Sequence, residues 1–225
     1  MRRRYGAPEP RSPYIRPVKP ARLSLALAVA AGLAGYAWLQ WSPPPGRRLE
    51  ASPAVTKVLS DRGSPAAGAA TPDVTVVVFT DYQCPVCKTT DPALTRLLAV
   101  DPNVRVVWKD WPIRGPMSDL AARTAMAAHR QGLYAPVHDA LMAARGQLTP
   151  ARIKDIAVQA GADRAQLTAD LRDHAREIDA QLSGHKLQAF SLGLQGTPTY
   201  LVGPYLIQGG LDDRALSGAV ARARR

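Results

Sequence analysis

The sequence predicts an α/β domain preceded by a membrane-spanning helix. The domain should hold a parallel strand–helix–strand unit, an inserted block of helices, an antiparallel hairpin and a closing helix. Three observations carry this. A β-branched run, Val74 to Phe79, is followed after a helical stretch by a second apolar run, Val104 to Trp108. Residues 117–192 are dominated by Ala, Leu, Arg and Gln. An uncharged run, Leu23 to Leu39, sits behind a basic N-terminus.

The chain of 225 residues is 46% hydrophobic, which suits one domain with additions. Two Cys allow one disulfide at most, so a disulfide-stapled miniprotein is ruled out. The formal charge of +11 is unevenly spread: residues 1–50 carry a net +7, leaving +4 for residues 51–225. A nearly neutral body offers little for nucleic acid.

Seven cations, Arg2, Arg3, Arg4, Arg11, Arg16, Lys19 and Arg22, precede the uncharged run. Extended to Trp41 the run spans about 28 Å as a helix, short but adequate for a bilayer. Trp38 and Trp41 fall where an interfacial aromatic belt would lie, and the positive flank should stay cytoplasmic. The alternatives are a cleaved signal peptide and a buried soluble helix. The long, Pro-rich basic segment favours an uncleaved anchor. The organisation expected is a basic cytoplasmic segment 1–22, an anchor 23–41, a flexible Pro/Gly/Ala/Ser-rich linker 42–71 and a catalytic domain 72–225. Val55–Leu59 could form a short edge strand inside that linker.

Val74–Phe79 reads as a buried central strand. Cys84-Pro85-Val86-Cys87 follows, opening a helix that Pro92 should kink. Val104–Trp108 is a second buried strand, parallel to the first. The helical block 117–192 has breaks near Gly132, Gly146, Gly161 and Gly184, and Thr149-Pro150 is a clear helix start. Thr199–Val202 and Tyr205–Gln208 read as a hairpin joined at Gly203-Pro204. Asp212 caps a last helix.

The chemistry concentrates at two points. A CxxC at a strand end, opening a helix, points to redox work. The alternatives are an inert buried pair or a metal site. Zinc needs four ligands, no further Cys exists, and His129, His138, His174 and His185 show no ligand spacing, so no metal is expected. Unpaired N–H groups at the helix start favour a thiolate on Cys84, which should be exposed and acidic. Cys87, one turn in, should be buried and ready to resolve a mixed disulfide. Gly196-Thr197-Pro198-Thr199 is the second point. An ordinary turn is the simple reading, since X-Pro bonds are usually trans. In a thioredoxin-like fold this is the place of a cis proline beside the redox pair, where the Thr197 backbone can pair with an extended substrate.

These stretches together resemble the bacterial extracytoplasmic thiol-disulfide oxidoreductases of the DsbA type, thioredoxin folds with an inserted helical domain. The resemblance lies in Val78 to Lys88, Trp111-Pro112-Ile113-Arg114-Gly115-Pro116, the Tyr134, His138, Leu141-Met142 helix and Gly196 to Tyr200. It implies Cys84 as nucleophile, Cys87 as resolving thiol, Pro198 as the cis proline and Thr197 beside the substrate. Asp81 and Tyr82 look like family positions flanking the site. Asp81 either caps the helix start, or tunes the thiols or shuttles a proton. The dipeptide Pro85-Val86 lacks the His of the strongest oxidants, and Leu201 to Tyr205 replaces a polar Asn-Gly turn.

The activity expected is a dithiol oxidase that makes disulfides in exported proteins. It would need no cofactor beyond the Cys84–Cys87 pair and would be recycled by a membrane redox partner. A reductase or isomerase would use the same residues. A non-catalytic peptide-binding or chaperone module is the reading from another class. The domain is expected to be a monomer outside the cytoplasm, held by its anchor or soluble after cleavage.

Overall fold

The computed structural model describes residues 20–41 and 46–225, and side chains in the first helix only over residues 25–35. The basic segment expected at 1–22 lies, up to residue 19, outside the described residues. The chain forms two units, residues 1–42 and 43–225.

The first unit holds helix α1, Pro20–Trp41. Among its described side chains Leu25, Leu27, Val29 and Leu33 are exposed. Among the described residues no helix is long and apolar enough to cross a membrane.

The second unit begins earlier than the sequence suggests. The expected linker 42–71 is, from Gly46 on, largely folded. It contributes strand β1 (Arg47–Arg48), helix α2 (Pro53–Leu59) and strand β2 (Ala66–Gly68). Val55–Leu59, expected as an edge strand, is helical. Ser52 caps α2 by accepting from the Val55 N–H at 3.3 Å, and Pro53 follows at the first position. Val55 and Val58, three apart, then bury one face of that helix. A Pro/Gly/Ala/Ser-rich composition suggests flexibility; the turn chemistry of Ser52-Pro53 and the open sheet edges decide otherwise. Gly68 lets β2 approach closely, since it has φ 97° and a Cβ there would collide with the Val104 carbonyl.

The rest of the second unit follows in the expected order. Strand β3 (Val74–Thr80) leads to helices α3 (Pro85–Thr90) and α4 (Pro92–Val100), then strand β4 (Val104–Asp110). Pro92 divides one expected helix into two. Five helices form the insertion: α5 (Pro116–Arg130), α6 (Tyr134–Ala143), α7 (Pro150–Gln159), α8 (Arg164–Asp173) and α9 (Ala175–Ser191). Strands β5 (Thr199–Val202) and β6 (Tyr205–Gln208) make the hairpin, and α10 (Asp213–Ala223) closes the fold, capped by Asp212.

The six strands order as β1-β6-β5-β3-β4-β2. Only β3 and β4 pair in parallel, with Val74 opposite Val104 and Thr80 opposite Asp110. Successive side chains on these strands point to opposite faces. Val76, Val78, Val106 and Trp108 join Cys84, Cys87 and the inserted helices in one core. Val77, Phe79, Val107 and Trp111 join α2 and the end of α9 in the other. Both faces are covered, which explains the unbroken apolar runs of β3 and β4.

Candidate active site

Strand β3 ends at Thr80, and Asp81 to Gln83 turn the chain into α3. Cys84 is the residue before the first turn, with φ −78° and ψ 117°, and Pro85 occupies the first helical position. Both cysteines are free thiols. Cys84 was expected to be exposed; it is buried, as is Cys87. Its cover is the loop before β5. The Thr197–Pro198 bond is cis, and the Thr197 carbonyl accepts from the Cys84 thiol at 3.3 Å.

The two thiols sit in unequal environments. Burial opposes a thiolate at Cys84. The Cys87 N–H, the Thr197 side chain, the Cys87 thiol and the Val86 N–H outweigh it and hold Cys84 below the ordinary thiol range. Burial dominates at Cys87, and its thiol is pushed up to about 12. Of the pair, Cys84 is therefore the readier nucleophile. Val86 is 46% exposed and edges the site. Gly210, beyond β6, faces it: a Cβ there would lie 2.8 Å from Val86 Cγ1 and 2.6 Å from Thr90 Cγ2. The Gly209 N–H donates to the Pro198 carbonyl at 2.9 Å, tying this turn to the proline loop.

The Asp81 carboxylate is committed to four hydrogen bonds. One carboxylate oxygen accepts from Gln83 N and Ser118 Oγ, both at 2.7 Å. The other accepts from Ile113 N at 2.7 Å and Arg114 N at 3.1 Å. With these four bonds it staples the Trp111–Pro116 loop and the start of α5 to the entry of the redox pair. Tyr82 turns away from the cysteines and is buried among the inserted helices. Its hydroxyl lies 2.9 Å from His138 Nδ1 and 3.4 Å from the Tyr134 hydroxyl.

Tyr82 opens a buried network. His138 Nε2 meets Asp91 Oδ1 at 3.0 Å, and the Tyr134 hydroxyl donates to Asp110 Oδ1 at 3.0 Å. A carboxylate only accepts, so Nε2 carries a proton. A proton on Nδ1 as well would orient every donor the same way, from His138 through Tyr82 and Tyr134 to Asp110. Burial disfavours charge on His138, yet Asp91 raises its pKa above the ordinary value. Burial lifts Asp110 to about 6. Thr80, opposite Asp110 in the parallel ladder, lies beside Cys87, where its side chain favours the thiolate.

Lys88 joins the redox helix to the insertion. Its ammonium donates to the carbonyls of Leu141 at 2.8 Å and Ala144 at 2.9 Å, at the end of α6. Asp91, His138 and Asp139 each bring one ligand atom within 4.8 Å of the others. Asp91 already occupies His138 Nε2, and Lys88, Arg96 and Arg145 line the cavity of about 390 Å³ beside them, so the charges work against a cation.

Residues 75–221 match the DSBA-like thioredoxin domain family. The chain belongs to that family. The matched region is a domain of the thiol-disulfide oxidoreductase type, with a thioredoxin-like fold and a helical insertion. Among solved structures, the DsbA-like domain is similar to a thioredoxin-like oxidoreductase from Silicibacter pomeroyi. That likeness is 38% identical with TM-score 0.72, covering 77% of this chain and 98% of the other. The thiol-disulfide exchange protein alpha-DsbA2 from Wolbachia pipientis is 27% identical with TM-score 0.71, covering 74% and 90%. The catalytic domain of ScsC from Proteus mirabilis is 27% identical with TM-score 0.68, covering 75% and 93%. A curated relative, the Na(+)/H(+) antiporter NhaA 1 of Salinispora arenicola, is 33% identical over 191 residues, 80% of this chain and 29% of that protein. The chain spans about a third or less of the length of the curated relatives it matches.

The DsbA-like domain holds Cys84, Cys87, Thr197 and Pro198 in one place, with Pro85 and Val86 between the thiols. Sequence reasoning missed Lys88, Asp91 and Asp110. No spacing rule links them, because their partners come from the insertion. The one visible signal was His138 four residues after Tyr134, on a single helix face.

Proposed function

We propose that this domain is a membrane-anchored dithiol oxidase acting on exported proteins. The observation that carries the reading is the inequality of the two thiols. Whatever stabilises the Cys84 thiolate stabilises the reduced form, and that makes the disulfide a stronger oxidant. A substrate thiolate attacks the Cys84 sulfur of the Cys84–Cys87 disulfide, and Cys87 leaves with the electron pair. Its high pKa means that it then takes up a proton. A second substrate thiolate attacks the substrate sulfur of the mixed disulfide, and Cys84 leaves as a stable thiolate. Substrate loses two electrons and the domain gains them. A membrane redox partner removes them again. Thr197, whose carbonyl reaches Cys84, pairs with the extended substrate.

The anchor is α1. Its uncharged part, residues 23–41, makes about 28 Å of helix, short for a bilayer, and the basic segment precedes it. The catalytic unit then works outside the cytoplasm.

Equilibration with glutathione tests the direction. The potential should lie between about −270 mV and about −120 mV, the values of thioredoxin and of the most oxidising relative. A value below that of thioredoxin would make the domain a reductase. Cys84→Ser should abolish oxidation of a reduced dithiol peptide; full activity in that variant would leave only a binding module. Val86→His should raise the potential and lower the Cys84 pKa further.

A further inference from the structure

We propose that the β1 edge of the sheet and the end of α10 dock the catalytic unit on an anionic lipid surface, with the redox pair directed away from it. The proposal rests on the anchor reading above.

Charge is concentrated at this corner of the fold. Arg47 and Arg48 form the whole of β1 and are exposed. Neither makes an ion pair among the described residues. Arg48 lies over the Tyr205 ring with its guanidinium carbon 5.9 Å from the centroid, and Arg222, from the last turn of α10, lies over the same ring at 4.1 Å. A ring face attracts each cation and so gathers two like charges that would otherwise repel. Arg225 is exposed beyond them. Glu50 is the nearest acid along the chain from β1. Arg224, at the same end of α10, is already tied to Asp73 and Asp101.

Chain length points to the occupant. The sequence suggested a tether of thirty residues, but β1 starts at Arg47 and α1 ends at Trp41. The five residues between them reach at most about 18 Å. A domain on so short a connection stays near the bilayer surface. Attraction between basic residues and anionic headgroups acts within about 10 Å of that surface. Each arginine brought there strengthens attachment about fivefold.

The strand register gives the direction. Arg48 pairs with Tyr205, Tyr205 with Val202, and Val202 with Val76. From Val76, β3 runs about 13 Å further to Thr80, and Cys84 lies beyond its end. α10 runs the opposite way and delivers Arg222 to the Tyr205 end. The basic corner and the thiols therefore lie towards opposite ends of the sheet. Docked by this corner, the domain presents Cys84 to soluble exported proteins rather than to the bilayer.

The test uses the full chain in vesicles of phosphatidylcholine alone or with phosphatidylglycerol, read by hydrogen–deuterium exchange. Exchange over residues 46–50 and 203–207 should slow about threefold or more in the anionic vesicles, given that fivefold contribution per arginine. The slowing should vanish in about 0.5 M salt. It should also vanish in the R47A/R48A variant, whose thiol-exchange activity in detergent stays unchanged. Residues 82–90 should exchange alike in both vesicles. Equal exchange at the corner in both vesicles, or protection over 82–90 instead, would overturn the proposal. Alkaline carbonate extraction separates the two readings. Protein that resists extraction but shows no protection keeps the anchor and loses the docking. Protein that is stripped yet protected on anionic vesicles keeps the docking and loses the anchor.

Discussion

Strand β4 sends two neighbouring charges to opposite faces of the sheet, and the two sites they build behave differently. Lys109 enters the core shared with α2 and α9. It is fully buried and donates to Asp61 and, at 2.9 Å, to Ser64 Oγ. His185 Nδ1 faces the Asp110 carbonyl at 3.1 Å and must donate to it. Neutral His185 can then only accept at Nε2, so the one Ser64 hydroxyl proton is shared between that nitrogen at 2.9 Å and Asp61 Oδ2 at 3.0 Å. Asp110 enters the face shared with the cysteines and the inserted helices. One of its oxygens accepts from Tyr134; the other has no partner among the described residues.

The difference lies in how completely each site is satisfied. Lys109, Asp61, Ser64 and His185 leave no buried side-chain polar atom without a partner among the described residues. Burial and the Lys109 charge push His185 down to about 4, and Lys109 overcomes burial to hold Asp61 near 2, so neither changes state near neutrality. Around Asp110 an oxygen is left over, burial raises the acid to about 6, and His138 is raised as well. The first site fastens the segment before β2 to the sheet. The second holds two groups whose proton affinity is raised, on the face that carries the redox pair.

Breaking the closed site should have the largest effect. Asp61→Asn leaves a buried ammonium without its counter-charge, and unfolding in denaturant should show a loss of about 3–5 kcal/mol. Adding Lys109→Met removes the stranded charge and should recover most of that loss. A single-variant cost below about 1 kcal/mol would mean that the pair is no more than a surface contact.

The open site should show itself through pH. Asp110 holds its proton more tightly folded than unfolded. Its stabilisation is complete below its ordinary value of about 3.8 and is lost as pH rises through about 6. The swing is about 3 kcal/mol. Asp110→Asn should flatten the fall in stability between about pH 4 and pH 6. Asp61, held low, acts with the opposite sign: its stabilisation is present above about 3.8 and lost as pH falls towards 2. An unchanged slope in Asp110→Asn would assign the titration to another group.

The smallest change sharpens the contrast. Ser64→Ala removes the hydroxyl shared by His185 and Asp61 and should cost about 1–2 kcal/mol at pH 7. Because His185 is then less well held as the neutral ring, the loss should shrink at low pH. A loss independent of pH would show that Ser64 contributes packing alone.

Much of the fold was legible in the sequence because it rests on local signals. Two β-branched runs, a long helix-forming block, a capped start at Thr149-Pro150 and a Gly203-Pro204 turn each specify their own element. The segment 46–68 was not legible. Its strands are two and three residues long, and they exist only because β6 and β4 offer open edges.

Within the site, the sequence by itself determined which residues could do redox chemistry. Two cysteines spaced for one helical turn, and a Thr-Pro before a strand, are written in the order of residues. What the tertiary structure alone decided is how those groups are set. It buried Cys84 under the Thr197 carbonyl and turned Asp81 into a four-bond staple. It also placed an unsatisfied Asp110 on the face of the thiols. Each of these outcomes depends on partners 24 to 113 residues away in the chain. Proton affinity depends on burial and on the partners at hand, and a linear spacing rule carries neither.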